Sequence, residues 1–293
     1  MIFNQLVFNS LIIGSIYALV ACGFSLIYAT NSFVHFAHGA SVVASAYFLY
    51  VGFHTWHLPF VVSCLLTLIF SALLGLAMHR VVYRPLQDRG SSNIVLLVAS
   101  VGLLTLIENT VLLVFGADVK SLGYLPVREG MNLLGAVITP LQIVIIIVSL
   151  ILMVLLYVFM QHTTLGRDMR AVADHKELAS IVGIDEKKIA SYAFMLGSAL
   201  AGIAGIFISL EQNLEPSMGT TLMTKGFTGA VIGGVTSVPA AILGSYLLGF
   251  AENFGIWYLP SGYKDAIAFT LLFLFLLFKP TGIFGIEMGV KNK

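Results

Sequence analysis

The chain has 293 residues, 58% of them hydrophobic and 10% charged, with a mean hydropathy of +0.97 and a formal net charge of +1. A soluble domain has no way to hide that much apolar surface, and a near-zero charge gives no basis for nucleic acid as a partner. The composition specifies an all-α, polytopic transmembrane helical bundle, a single domain over 1–293 embedded in lipid.

The first charged residue is Arg80, so the N-terminal run lacks the basic segment of a signal peptide and is expected to be a retained span. Two cysteines, Cys22 and Cys64, lie in apolar runs and read as small buried hydrophobes rather than a disulfide or a metal pair. About eight membrane segments are predicted, near 6–28, 33–53, 58–79, 94–115, 141–160, 190–210, 226–251 and 266–278. At ~1.5 Å per residue most are long enough to cross ~30 Å of hydrocarbon. The last reaches only ~20 Å before Lys279 and Pro280 end it.

The second segment opens with Asn31, His35, His38 and Gly39. Spacings of four and three put Asn31, His35 and His38 on one face of a single helix. They either face a translocation path or cap the helix at the membrane interface. In the fourth segment Glu108 sits deep in an apolar run, where a carboxylate costs about 3 kcal/mol unless paired, protonated or facing water. It suits a transport path and a hydrogen bond to a neighbouring helix equally. The sixth segment carries Ser198, Ala201, Gly202 and Gly205, with small residues four apart that let helix backbones approach. The seventh holds Gly233, Gly234, Thr236 and Pro239, a poor continuous helix. One broken or re-entrant element is therefore expected there, either lining a path or forming a packed kink.

Between the fifth and sixth segments, residues 161–190 hold five basic and five acidic side chains, a third of the 29 charges in the chain. Apolar residues at Leu165, Met169, Val172, Ala173, Leu178, Ile181 and Val182 recur near helical spacing. The stretch reads either as an amphipathic helix that docks on another protein or as a solvated linker. Its cations, and Arg80, Arg84 and Arg89 in the loop after the third segment, make both loops cytoplasmic. Loop 116–140, with Lys120 and Arg128, reads as exterior. Eight simple crossings would then leave Lys279, Lys291 and Lys293 outside, against the positive-inside rule, so the seventh or the last segment does not cross simply.

Three passages together resemble the permeases of branched-chain amino acid importers of the ATP-binding cassette class. They are Gly23–Tyr28 with Val34-His35-Phe36-Ala37-His38-Gly39; Leu165-Gly166-Arg167 through Arg170-Ala171, Ala179 and Gly183-Ile184 to Leu200–Gly205; and Val231–Val235 with Gly244, Gly249 and Glu252-Asn253. The resemblance runs in order along the whole chain. It departs at His35, where the family usually has Asn, which puts the substrate and its pH response in doubt. It implies a multi-pass subunit of the bacterial inner membrane that moves substrate by alternating access. Implied partners are a second permease, related or identical, two ATPase subunits and a periplasmic binding protein. A cytoplasmic coupling loop at 161–190 would touch the ATPase through Gly166, Arg167, Met169, Arg170, Ala171, Ala179, Gly183 and Ile184. The chain carries no G-x-x-x-x-G-K-[ST], so no cofactor is expected on it and ATP would be hydrolysed by the partners. Relatives of this kind also carry urea, amides and other amino acids.

Two other classes compete. An ion-driven secondary transporter would use Glu108, Glu252 and the broken seventh segment. An intramembrane metal enzyme would use the pairs His35/His38 and His54/His57, but 19 residues of one helix set these roughly 29 Å apart.

Overall fold

The uncharged opening of the sequence folds as one helix, α1 (Ile2–Asn31), in a computed structural model that describes residues 2–124 and 130–284. Arg128, Lys291 and Lys293 therefore lie outside the described residues. At Ser32 the backbone takes φ +62°, which a helix does not tolerate, and α1 stops. Residues 32–37 turn back into the bundle, and α2 (His38–Tyr50) starts beside Gly23, about 12 Å up α1. Asn31, His35 and His38 are thus not on one helix, contrary to their spacing. A π-helical turn, Val51–Thr55, completes this element.

α3 (Phe60–Ala77) runs through a second π turn, Met78–Tyr83, into α4 (Arg84–Asp88). α5 (Asn93–Phe115) follows. A small antiparallel hairpin, β1 (Met131–Leu133) and β2 (Ala136–Ile138), leads to α6 (Pro140–His162). Thr139 and Gln142 start α6 with a reciprocal capping box. Two short helices, α7 (Thr164–Asp174) and α8 (Lys176–Ile181), precede α9 (Glu186–Glu211). Then come α10 (Met218–Gly233), α11 (Val238–Tyr258) and α12 (Lys264–Phe278).

Among the described residues six helices are long and apolar enough to cross a membrane: α1, α3 with α4, α5, α6, α9, and α12 with its preceding 3-10 turn. α10 and α11 are a pair bent by 114°. Gly234, at φ 136°, and Pro239 prevent a continuous helix there.

Contacts fix which ends share a face. On one side, Lys187 pairs with Asp88 at 2.7 Å and Asn93 bonds Ser32 O at 3.1 Å. With Arg84, Arg89 and Lys188 this is the basic face. On the other, Gln5 bonds the Val137 N–H at 2.8 Å, Lys120 bridges Leu214, Gln142 bonds Glu211, and His54 reaches Leu122 O. α11 lies antiparallel to α1, since Tyr246 meets Ser15 and Phe254 meets Phe3. Its end therefore shares the second face with the start of α1.

It follows that α9 leaves the bundle on the second face and that α10 and α11 dip in and return to it. They are a re-entrant hairpin, not a crossing. α12 then runs away from the second face and lays Gly282–Phe284 against the tip of the hairpin, so Lys279 is carried off that face, in the direction the positive-inside rule asks. The six apolar helices and α2, which with residues 32–37 spans from the basic face to the second, make seven crossings among the described residues. The broken or re-entrant element expected among the about eight segments is the bent pair α10 and α11.

α9 is the second axis of the bundle, packed against α1, α2 and α3 through its small residues. A Cβ on Gly202 would stand 2.7 Å from Ser71 Oγ, and one on Gly205 3.3 Å from Ala46 N. Ala201 is fully buried, and the Ser71 hydroxyl donates to Ser198 O. Gly202→Leu is expected to cost about 1–3 kcal/mol by overpacking. The measurement is the unfolding midpoint in detergent. Gly102→Leu on α5, where the space is open, serves as the neutral control.

Candidate coupling segment and translocation path

The charged loop divides into an inward helix and an outward one. Thr163 caps α7 by accepting from the Gly166 N–H at 3.0 Å. Gly166 lies against Phe159 O and Met160 at the end of α6, and Met169 and Val172 are buried. The first half of the apolar stripe therefore serves internal packing, because α7 is laid on the ends of α6 and α9. Arg167 is exposed; Arg170 and Ala171 are half-buried.

On α8 the pattern reverses. Ala179 is buried, whereas Leu178, Ile181 and Val182 are 58, 78 and 75% exposed. α8 ends in a Schellman turn: Ile184 N–H donates to Ala179 O, Gly183 N–H to Ser180 O, and Gly183 takes φ +90°. That turn explains the Gly183-Ile184 pair and holds the three apolar side chains outward. Asp185 caps α9 by accepting from the Lys187 and Lys188 N–H groups, each at 3.1 Å. The bond from Lys188 is the main cause holding its carboxyl below the usual carboxylate range. This cap is present at neutral pH and is lost as pH falls through the depressed value.

The path candidates sit in two neighbouring places. Asn31 is buried and bonds Ile27 O and Thr30, beside a cavity of about 260 Å³ on the basic face shared with Arg84, Lys176 and Lys187. His35 and His38 are fully buried with ring centroids 6.1 Å apart. His35 Nδ1 meets Tyr83 Oη at 2.9 Å, and Phe194 stacks on the edge of its ring. The π turn Met78–Tyr83 supplies Tyr83 and also His79, whose Nδ1 meets the Ser191 hydroxyl. His54 lies at the second face, so the two histidine pairs form no common site. Gly39 places α2 directly on α10 at Gly219.

The re-entrant hairpin holds the other candidates. Glu108 of α5 accepts from the Thr220 N–H at 2.7 Å and the Thr220 hydroxyl at 2.8 Å. It thereby caps the N-terminus of α10 from a neighbouring helix, where a carboxylate is favoured. Gly233 and Gly234 form the buried tip. The backbone of Ala240 closes on Gly233, and the N–H groups of Ile283 and Phe284 donate to Ile232 O and Gly233 O. Thr236 at the tip is exposed.

Sequence reasoning missed Lys225. It is 4% exposed on α10, pairs with Glu252 of α11, which is 1% exposed, and lies 2.7 Å from Asp265 of α12. Tyr17 of α1 donates to the second oxygen of Glu252 at 3.0 Å. Four helices therefore meet in one charged network. The available signal is a lysine one residue before the predicted segment 226–251.

The family model described as branched-chain amino acid transport system / permease component matches residues 6–276. The high-affinity branched-chain amino acid transport system permease protein BraD of Pseudomonas aeruginosa is 34% identical over 96% of this chain and 95% of its own length. The corresponding LivH of Escherichia coli is 33% identical over 97% and 96%. Among solved structures, PsaBC from Streptococcus pneumoniae in complex with Fab superposes with a TM-score of 0.52 at 13% identity, covering 100% of this chain and 96% of that one, a likeness of fold alone. With matches of this identity along nearly its whole length, the chain belongs to the family of branched-chain amino acid transport system permease components.

Proposed function

We propose that this chain is one of the two membrane-spanning subunits of an ATP-driven importer of branched-chain amino acids in a bacterial inner membrane. The observation that carries the mechanism is α8, a helix on the basic face that turns three large apolar side chains away from its own protein. By the positive-inside rule that face is cytoplasmic, where an ATPase subunit would bind. The family match supports the substrate class.

In this reading α8 is the contact and α7 the lever. α7 is packed on the ends of α6 and α9, so displacement of α8 passes into α9, the axis against which α2 and α3 lie. α2 in turn touches the re-entrant α10 through Gly39 and Gly219. ATP-driven closure of the ATPases would thus rearrange the 31–39 and 218–237 regions around a path beside the partner permease. A periplasmic binding protein would deliver the amino acid to the second face.

The test is purification of the chain from its native membrane in mild detergent, with mass spectrometry of what remains bound. The expected companions are ATPase subunits. Recovery of the chain alone, even after cross-linking, would overturn the reading and favour an ion-driven transporter.

A further inference from the structure

A cavity of about 430 Å³ lies between α1, the end of α9 and the start of α10. Its volume falls within the usual range of small-molecule sites. It begins on the second face at Gln212, Asn213 and Glu215, which are exposed, and reaches Tyr17, halfway down α1. It is therefore a recess running from the surface to mid-depth of the bundle.

Its walls are of two kinds. Ile16, Ile208 and Leu222 give it an apolar side, while Tyr17, Gln212 and Glu215 give it polar groups. The polar set contains both signs of hydrogen-bonding function. The Glu215 carboxylate accepts, and so does the Tyr17 oxygen, because its proton is committed to Glu252. The Gln212 amide donates. A ligand with an ammonium group, a carboxylate and an aliphatic side chain satisfies all three surfaces. A purely apolar ligand would leave the polar ones unpaired, at a cost.

We propose that this cavity is the acceptor site within the subunit for an aliphatic α-amino acid arriving at the second face, an assignment that rests on the importer reading. The aliphatic side chain lies on Ile16, Ile208 and Leu222. The ammonium group meets Glu215 and the Tyr17 oxygen, and the carboxylate meets Gln212. One wall is the first turn of α10, so occupancy bears directly on the re-entrant hairpin. Tyr17 also ties the site to Glu252 and Lys225.

The test uses the whole transporter complex in vesicles, with radiolabelled leucine as probe and Thr221, another lining residue, as the point of attack. Thr221→Trp fills the recess and is expected to lower leucine uptake about tenfold or more, with the unfolding midpoint of the purified complex as the folding control. In a chain with Cys22→Ala and Cys64→Ala, Thr221→Cys is expected to react with a charged, water-soluble maleimide. Saturating leucine-loaded binding protein should slow that reaction about fivefold or more. Normal uptake by Thr221→Trp, or labelling indifferent to leucine, overturns the site. The wild type measured in the same vesicles keeps the two ideas apart: leucine uptake by the wild type with either of those results sinks only the cavity. A wild type inert toward every aliphatic amino acid sinks the importer reading as well. If Thr221→Trp fails to assemble, the labelling arm decides.

Discussion

Lys225→Ala is expected to destabilise the folded subunit by about 3–5 kcal/mol, because it leaves Glu252 buried without a counter-charge. Asp265 cannot compensate, since it carries the same sign and its side chain is 64% exposed. The loss should read as a lower unfolding midpoint in detergent and poor recovery of folded protein. Removing both charges, Lys225→Met with Glu252→Gln, should recover most of the stability, because no ion is then left unpaired. The glutamine still accepts from Tyr17. A Lys225→Ala subunit as stable as the wild type would mean that water or lipid headgroups reach Glu252 and that the network does not hold the hairpin. A stable double variant also permits a second measurement. If the network only fastens α10 to α11 and α12, uptake should survive in it.

Leu178→Asp with Ile181→Asp on α8 is expected to detach the ATPase while leaving the permease folded. Both side chains are exposed in the isolated subunit, so the change costs little there. In a complex each buried aliphatic contact is worth about 2 kcal/mol, so the pair should weaken ATPase binding by roughly three orders of magnitude. Retention of the ATPase on the purified permease reads this directly, and the unfolding midpoint serves as the folding control. Arg170→Glu tests the lever instead of the contact. Arg170 is half-buried on α7, so a reversed charge there should lower uptake even where the ATPase stays bound. Full retention of the ATPase by the α8 variant would move the docking surface elsewhere on the basic face.

How much of this was legible in the sequence depends on the scale of the signal. Apolar runs of twenty residues announce helices with little ambiguity, and the clustered cations of 161–190 announced the basic face. The break at Gly233 and Gly234 was equally visible, because no helix continues through φ 136°. Its direction was not visible, because a bend of 114° that returns to the same face depends on contacts with α1 such as Tyr246 with Ser15. The Lys279 conflict was the one trace of it in the sequence. Local spacing misled at Asn31, His35 and His38: a single residue, Ser32 at φ +62°, ends the helix between them. It misled again along the charged loop, where one periodic stripe serves two purposes. Met169 and Val172 point inward while Leu178 and Ile181 point outward, because the break at His175 re-aims the chain. Lys225 and Glu252 are 27 residues apart on two arms of a hairpin, a pairing no local pattern encodes. Glu108 showed its cost in the sequence but not its partner, Thr220, 112 residues away.

The central claim is that this subunit moves a branched-chain amino acid at the expense of ATP hydrolysed by a partner. Its most direct test is uptake of radiolabelled leucine, isoleucine and valine by vesicles containing the assembled complex, loaded with ATP or with a non-hydrolysable analogue. The account predicts uptake that requires the binding protein, stops with the analogue, and is indifferent to collapse of ion gradients. Uptake by the subunit without an ATPase, driven by a proton or sodium gradient, would contradict it.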